Sequence, residues 1–294
     1  DKRIYVATTR GMTEKPTIYV LNRKNLKVKD SIVLETAVFG LGIDPETQTL
    51  YGTATRAGTV VAIDIKSGKQ LSIIDNGQEK GHTREVVTDR KNHKIYVSDV
   101  SDGVWVIDGR TKSFDRMLNG IASATGLAVD PERDRLYAIH KNSVVFYDLN
   151  SDTVIDTFPT GGERPINLAL DTKRNRLLVS HQGSGTVSAI DAENGRLLGS
   201  VSAGEGALGI TYHAASDRIY VANRGAGTVT IVNAGDFTEV NHLKTGSFPN
   251  TVVTDDKGTA YISHKAQGVG RPKKGEKPKK SDDPEGDRVV SVRR

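Results

Sequence analysis

The chain has no cysteine, which excludes a disulfide framework, thiolate metal sites and a cysteine nucleophile, and leaves the redox compartment open. Aromatic residues are only 5% of the chain and include a single tryptophan, so any stacking surface must be built from few positions. No apolar run approaches the roughly 20 residues that span a bilayer. The opening residues Asp1 to Tyr5 carry charge where a secretion signal needs an apolar stretch. The chain as it stands is therefore expected to be soluble and not inserted in a membrane. An excess of one charge sign is also missing: a net +5 over 294 residues does not argue for nucleic acid by itself. Catalytic signatures are absent too, with no Gly-x-Ser-x-Gly elbow, phosphate loop or metalloprotease helix.

What the chain does contain is repetition. The string Arg3-Ile4-Tyr5-Val6-Ala7 returns around Tyr51, Tyr96, Tyr137, Leu178, Tyr220 and Tyr261, at spacings of 46, 45, 41, 41, 42 and 41 residues. Each of the seven units has the same order. A short apolar stretch ends in an acid, as in Ala169-Leu170-Asp171; a polar turn leads to the anchor stretch; a β-branched stretch closes in Asp or Asn, as in Val187 to Asp191; and a last stretch runs to a glycine. Four short strands bounded by Gly, Asn, Asp and Ser turns make one blade. A four-stranded repeat of this period predicts an all-β, seven-bladed β-propeller of four-stranded antiparallel blades, a single domain over residues 1–294.

The first unit starts at its anchor strand and the last stops after Val289-Val290-Ser291-Val292. A closed ring wants both missing strands, so residues upstream of Asp1 are expected to supply them. A removed targeting segment could have preceded those.

The stretch Arg218-Ile219-Tyr220-Val221-Ala222-Asn223-Arg224-Gly225-Ala226-Gly227-Thr228-Val229, followed by Gly246-Ser247-Phe248-Pro249-Asn250, resembles the YVTN repeat. With Arg84-Glu85-Val86-Val87 opening the third unit, Thr125-Gly126-Leu127-Ala128 opening the fourth and a charged insertion before the last strand, the whole chain is similar to the YncE-like YVTN-repeat seven-bladed propeller family. The resemblance implies a periplasmic, non-enzymatic protein, its signal peptide removed, linked to iron-limited growth and to binding single-stranded DNA. Leu178 in place of a tyrosine, and Gly52 after Tyr51, depart from the repeat at structural positions.

In a propeller the loops from strand four to strand one, and from strand two to strand three, share one face, the default binding surface. Three of the seven histidines, His140, His181 and His264, fall at one equivalent position there, three residues after the anchor. A metal needs ligand atoms at about 2.0–2.1 Å, whereas equivalent positions of adjacent blades stand on the order of 10 Å apart. No metal and no cofactor are expected; the histidines are either polar strand ends or the lining of a ligand funnel. Channel-entry positions, Gly40, Glu85, Gly126, Asn167, Gly209 and Thr251, are mostly small, as crowding near an axis requires; Glu85 and its neighbour Arg84 are the exceptions, and together make either a structural ion pair or part of a recognition site. A lone carboxylate is not a catalytic constellation.

Basic residues, among them Arg84, Lys141, Arg164, Arg224 and Lys265, gather on this face. The expected ligand-binding set is Arg84, Glu85, His140, Asn167, His181, Arg224, Asn250 and His264. Phe39 and Phe248 are the best stacking candidates, each also readable as a packing residue. In the insertion 266–287, Lys273, Lys274, Lys277, Lys279 and Lys280 precede four acids, and Pro272, Pro278 and Pro284 prevent regular pairing. It is either a solvated loop or a nucleic-acid contact. The function expected is recognition of an anionic ligand without turnover, single-stranded DNA being the specific candidate. The alternatives are a scaffold for an envelope protein partner and, less favoured, a lactonase-like propeller enzyme.

Overall fold

A computed structural model describes residues 2–8, 15–78, 81–267 and 283–293. The protein is all-β, a seven-bladed β-propeller of antiparallel blades, with no helix among the described residues. The chain forms two compact units, Asp1–His140 with Val144–Thr157, and Lys141–Ser143 with Phe158–Arg294.

The first unit carries four sheets. They are β1 (Arg3–Ala7), β2 (Thr17–Asn22) and β3 (Val28–Val33); β4 (Leu41–Asp44), β5 (Thr49–Ala54), β6 (Thr59–Asp64) and β7 (Gln70–Ile74); β8 (Thr83–Asp89), β9 (Lys94–Asp99), β10 (Gly103–Asp108) and β11 (Ser113–Met117); and β12 (Leu127–Asp130), β13 (Arg135–His140), β14 (Ser143–Asp148) and β15 (Thr153–Pro159). The second carries three. They are β16 (Pro165–Asp171), β17 (Arg176–His181), β18 (Thr186–Asp191) and β19 (Leu197–Ser202); β20 (Ala207–His213), β21 (Arg218–Asn223), β22 (Thr228–Asn233) and β23 (Glu239–Lys244); and β24 (Pro249–Thr254), β25 (Ala260–His264) and β26 (Val289–Val292). Five blades have four strands; the first and last have three.

The repeated acids are turn makers. Asp44, Asp89, Asp130, Asp171 and Asp255 each end a first strand and accept a backbone N–H two or three residues on, at 3.0–3.2 Å. Such Asx turns tie the chain back for the second strand. Where the sixth blade has His213 instead, its Nδ1 accepts the N–H of Ser216 at 3.2 Å, so the imidazole does the same work.

Anchor tyrosines fill the space between blades. Tyr51 is fully buried, and its hydroxyl donates to the Gly109 carbonyl of the next blade at 3.3 Å; Tyr220 does the same to Gly258 at 3.0 Å. Leu178, in the blade that lacks the tyrosine, is equally buried and packs with Val187, Ala207 and Ile219.

Two residues after the anchor a hydroxyl joins neighbouring blades through backbone. Thr53, Ser98 and Ser180 donate to the carbonyls of Arg84, Thr125 and Leu208, each at 2.7 Å. These bonds hold the first strand of one blade beside the second strand of the blade before it. They thereby set the spacing of the loops on the expected binding face.

Outer strands stay exposed but not flat. A register shift interrupts the pairing of the third and fourth strands in the first, second, third, fifth and sixth blades, for example between Ala189 and Ile190. A bulge twists an edge and so discourages pairing with other chains.

Candidate functional site

In the first unit the loop that enters β4 presents Phe39, which is 38% exposed. The guanidinium of Arg84 in β8 lies over its ring, 5.0 Å from the centroid. Gly40 makes this approach feasible, because a Cβ there would stand 2.0 Å from the Arg84 carbonyl oxygen. Thr53 Oγ1 locks the arrangement: it accepts the Gly40 N–H at 2.8 Å while donating to Arg84. Burial lowers the pKa of Arg84, with Glu85 acting in the opposite direction.

Arg84 and Glu85 do not form an ion pair with each other, and among the described residues neither pairs with any other charge. The structural ion pair expected from the sequence is thus absent. The reason is local: the Arg84 side chain is spent on the Phe39 ring, and the two residues sit where the pairing of β8 with β9 shifts register, between Thr83 and Val86. The Glu85 N–H donates to Ser98 Oγ at 2.9 Å, and burial pushes its carboxyl up to about 7 despite the Arg84 charge. His140 is partly buried, with Nδ1 2.9 Å from Ser123 Oγ and 3.0 Å from the Ser123 carbonyl.

The second unit holds a similar arrangement. Arg224 follows β21, and its guanidinium lies 4.9 Å from the centroid of the Phe248 ring. Its Nη1 donates to Asn250 Oδ1 at 2.6 Å. Burial alone lowers its pKa, and no carboxylate among the described residues pairs with it. Phe248 has φ of 41° directly before Pro249, a conformation that a bulky residue adopts only when its surroundings impose it. Asn167 ties its blade to the next instead of standing clear, with Nδ2 donating to the Leu208 carbonyl at 3.3 Å. Arg164 Nη2 donates to Gln182 Oε1 at 3.2 Å.

His181 and His264 are 0% and 6% exposed, so they do not line an accessible funnel. His181 is covered by Gly162, where a Cβ would stand 2.6 Å from the ring, and its Nδ1 faces the Thr186 carbonyl at 3.4 Å. His264 Nε2 lies 3.1 Å from Thr245 Oγ1. Burial lowers both pKa values, which favours neutral imidazoles. Asp99 and Asn223 occupy equivalent places and are also fully buried: Asp99 Oδ1 accepts the His82 N–H at 3.0 Å, and Asn223 Nδ2 donates to the Ala203 carbonyl at 3.1 Å. These strand-end side chains hold the loops of the face from below.

No group of three or more His, Asp or Glu among the described residues is placed to hold a metal ion. No helix among them is long and apolar enough to cross a membrane. Lys273, Lys274, Lys277, Lys279 and Lys280 lie outside the described residues.

Residues 87–210 match the family described as "Lactonase, 7-bladed beta-propeller". The chain is 32% identical over 283 residues to the uncharacterized protein YncE of Escherichia coli (strain K12), covering 90% of this chain and 80% of that one. Over the same coverage it is 27% identical to YncE of Salmonella typhi. Among solved structures, Kuenenia stuttgartiensis hydrazine synthase matches with a TM-score of 0.72 at 16% identity, over 84% of this chain and 86% of that one. The Cps50 (Swd1) beta-propeller domain of Myceliophteria thermophila matches with 0.72 at 12% identity, over 88% of each. The two solved structures share the fold alone. The repeat, the sheet order and the identity to YncE across nine-tenths of the sequence agree, and the chain belongs to the YncE family of seven-bladed β-propellers.

Proposed function

We propose that this chain is a periplasmic binding propeller that recognises an anionic ligand, with single-stranded DNA as the specific candidate, and does not turn it over. The observation that carries this reading is the pair of guanidinium groups, Arg84 on Phe39 and Arg224 on Phe248, partly desolvated and without a carboxylate partner among the described residues. A cation removed from water without a counter-ion is held at a cost. An arriving oxyanion relieves that cost. An arginine stacked on a ring keeps in-plane N–H donors for a phosphate oxygen and a second flat face for a base.

Fluorescence anisotropy with a labelled oligothymidylate tests it. Each guanidinium that takes one phosphate adds about −0.7 to the salt slope, that is, roughly a 2.6-fold loss of affinity from 50 to 200 mM salt. Arg84→Ala and Arg224→Ala should each flatten that slope. Absence of binding at low salt removes the reading. Location is tested by osmotic-shock fractionation.

A second reading has one observation of its own. The Glu85 carboxyl, raised to about 7, is poised as a general acid or base, and the lactonase family match, over residues 87–210, begins two residues after it. Hydrolysis of a panel of γ- and δ-lactones, lost in Glu85→Gln, would establish turnover in place of simple binding.

A further inference from the structure

The loop between β23 and β24 has two sides. Its front carries Phe248 and Asn250, which hold the Arg224 guanidinium. Its back is gripped by residues that flank the charged insertion. Arg288 Nη2 donates to the Thr245 carbonyl at 2.8 Å, and His264 Nε2 lies 3.1 Å from Thr245 Oγ1. A Cβ on Gly246, whose φ is 128°, would stand 2.5 Å from Arg288 Nη2, so the guanidinium lies directly against the backbone. The Lys265 N–H donates to the Phe248 carbonyl at 3.1 Å. The insertion's two ends are also tied to each other: Asp287 Oδ1 accepts the Ala266 N–H at 2.9 Å, and Asp283 Oδ2 accepts the Gln267 N–H at 3.0 Å.

We propose that His264 and Arg288 are positioning residues of the anion-binding loop: by clamping Thr245 and Gly246 from behind, they keep Phe248 and Asn250 where these hold Arg224. This rests on the anion-binding reading above. The strained φ of Phe248 is the reason a clamp is required, because a bulky pre-proline residue leaves the left-handed region once its surroundings release it.

The clamp is sensitive to protons. His264 Nδ1 and Arg288 Nε are both buried without a partner. The charged groups that act on His264 are Arg288 and Glu285 on the insertion's returning end, with Lys265 its neighbour in the chain. Burial first, and the Arg288 charge second, favour neutral His264, with the Ile262 and Arg288 backbones and then Glu285 opposing. Protonation places a buried positive charge on His264 beside the half-exposed Arg288 guanidinium and opens the clamp. Acid should then weaken anion binding, opposite in sign to the attraction that added positive charge would give.

The test uses the full chain, a labelled oligothymidylate and constant ionic strength at pH 7.5 and 5.0. Acidification is expected to cost the unchanged protein several-fold in affinity beyond any change in His264→Gln, since Glu85 beside Arg84 takes up its proton in both. His264→Gln, whose amide reaches Thr245 without titrating, should lack that extra loss. Hydrogen exchange at Lys265 and at residues 245–248, corrected for intrinsic rates, should accelerate at pH 5.0 in the unchanged protein and not in His264→Gln. Arg288→Lys should show the faster exchange already at pH 7.5. Identical pH dependence in the unchanged protein and His264→Gln, or exchange indifferent to Arg288→Lys, overturns the clamp. Absence of oligonucleotide binding at every pH overturns the anion reading instead, while the exchange data still decide the clamp.

Discussion

Arg224 meets a neutral amide, Asn250 Oδ1, at 2.6 Å, in a place where a carboxylate would cancel its charge. An amide orients the guanidinium through one N–H and leaves its full positive charge for a ligand. Asn250→Asp is therefore expected to form a charge-assisted pair, weakening anion binding by about tenfold while leaving the melting temperature equal or higher. Anisotropy titration and a thermal melt on the same sample check both halves.

Glu85 makes stability depend on pH. Its carboxyl sits at about 7 in the folded protein, above the ordinary glutamate value of 4.5, because burial disfavours the charged form. The contribution is fully present below pH 4.5 and is lost as pH rises through 7. The difference is on the order of 3 kcal/mol. Urea denaturation at pH 4.5 and 8 should show this fall in the unchanged protein, and Glu85→Gln should remove it and be the more stable at pH 8.

Ser98→Ala tests the hydroxyl link between blades. Ser98 is fully buried, and its Oγ both accepts the Glu85 N–H and donates to the Thr125 carbonyl. Removing it strands both backbone groups, at a cost of about 1–3 kcal/mol in denaturant unfolding. Ser98→Thr, which keeps the hydroxyl, should recover most of this.

Gly40→Ala should do more than destabilise. Its methyl would stand 2.0 Å from the Arg84 carbonyl oxygen, so the blades must part by about 1 Å, at roughly 1–3 kcal/mol or more. The same movement pulls Arg84 away from Phe39. Salt-dependent binding should weaken in this variant even at temperatures where it remains folded.

Much of this was legible along the chain. The recurring anchor gave seven sheets, and the recurring acid marked each first turn, even where His213 replaces it. The sequence explains a small residue at position 40 by crowding near the axis, whereas the close contact is with the Arg84 carbonyl of the next blade. What could not be read was the direction of side chains at strand ends. His181 and His264 sit at a position that faces outward or inward according to what the adjacent loop lays over it, and Gly162 and Thr245 are contributed by other segments. The partnership of Arg84 with Phe39 was equally hidden. The two are 45 residues apart, and no spacing rule joins a ring to a guanidinium across blades. From the sequence Phe39 and Phe248 read as stacking candidates or packing residues, because a cation over a ring requires knowledge of who crosses whom.

The hydroxyl links from Thr53, Ser98 and Ser180 all run the same way, from a blade already completed to the carbonyl of the one that follows. A ribosome delivers the amino-terminal part first. At these three seams the earlier blade therefore leaves the exit tunnel with a donor waiting, and the next strand to emerge brings its acceptor, which gives assembly a direction there.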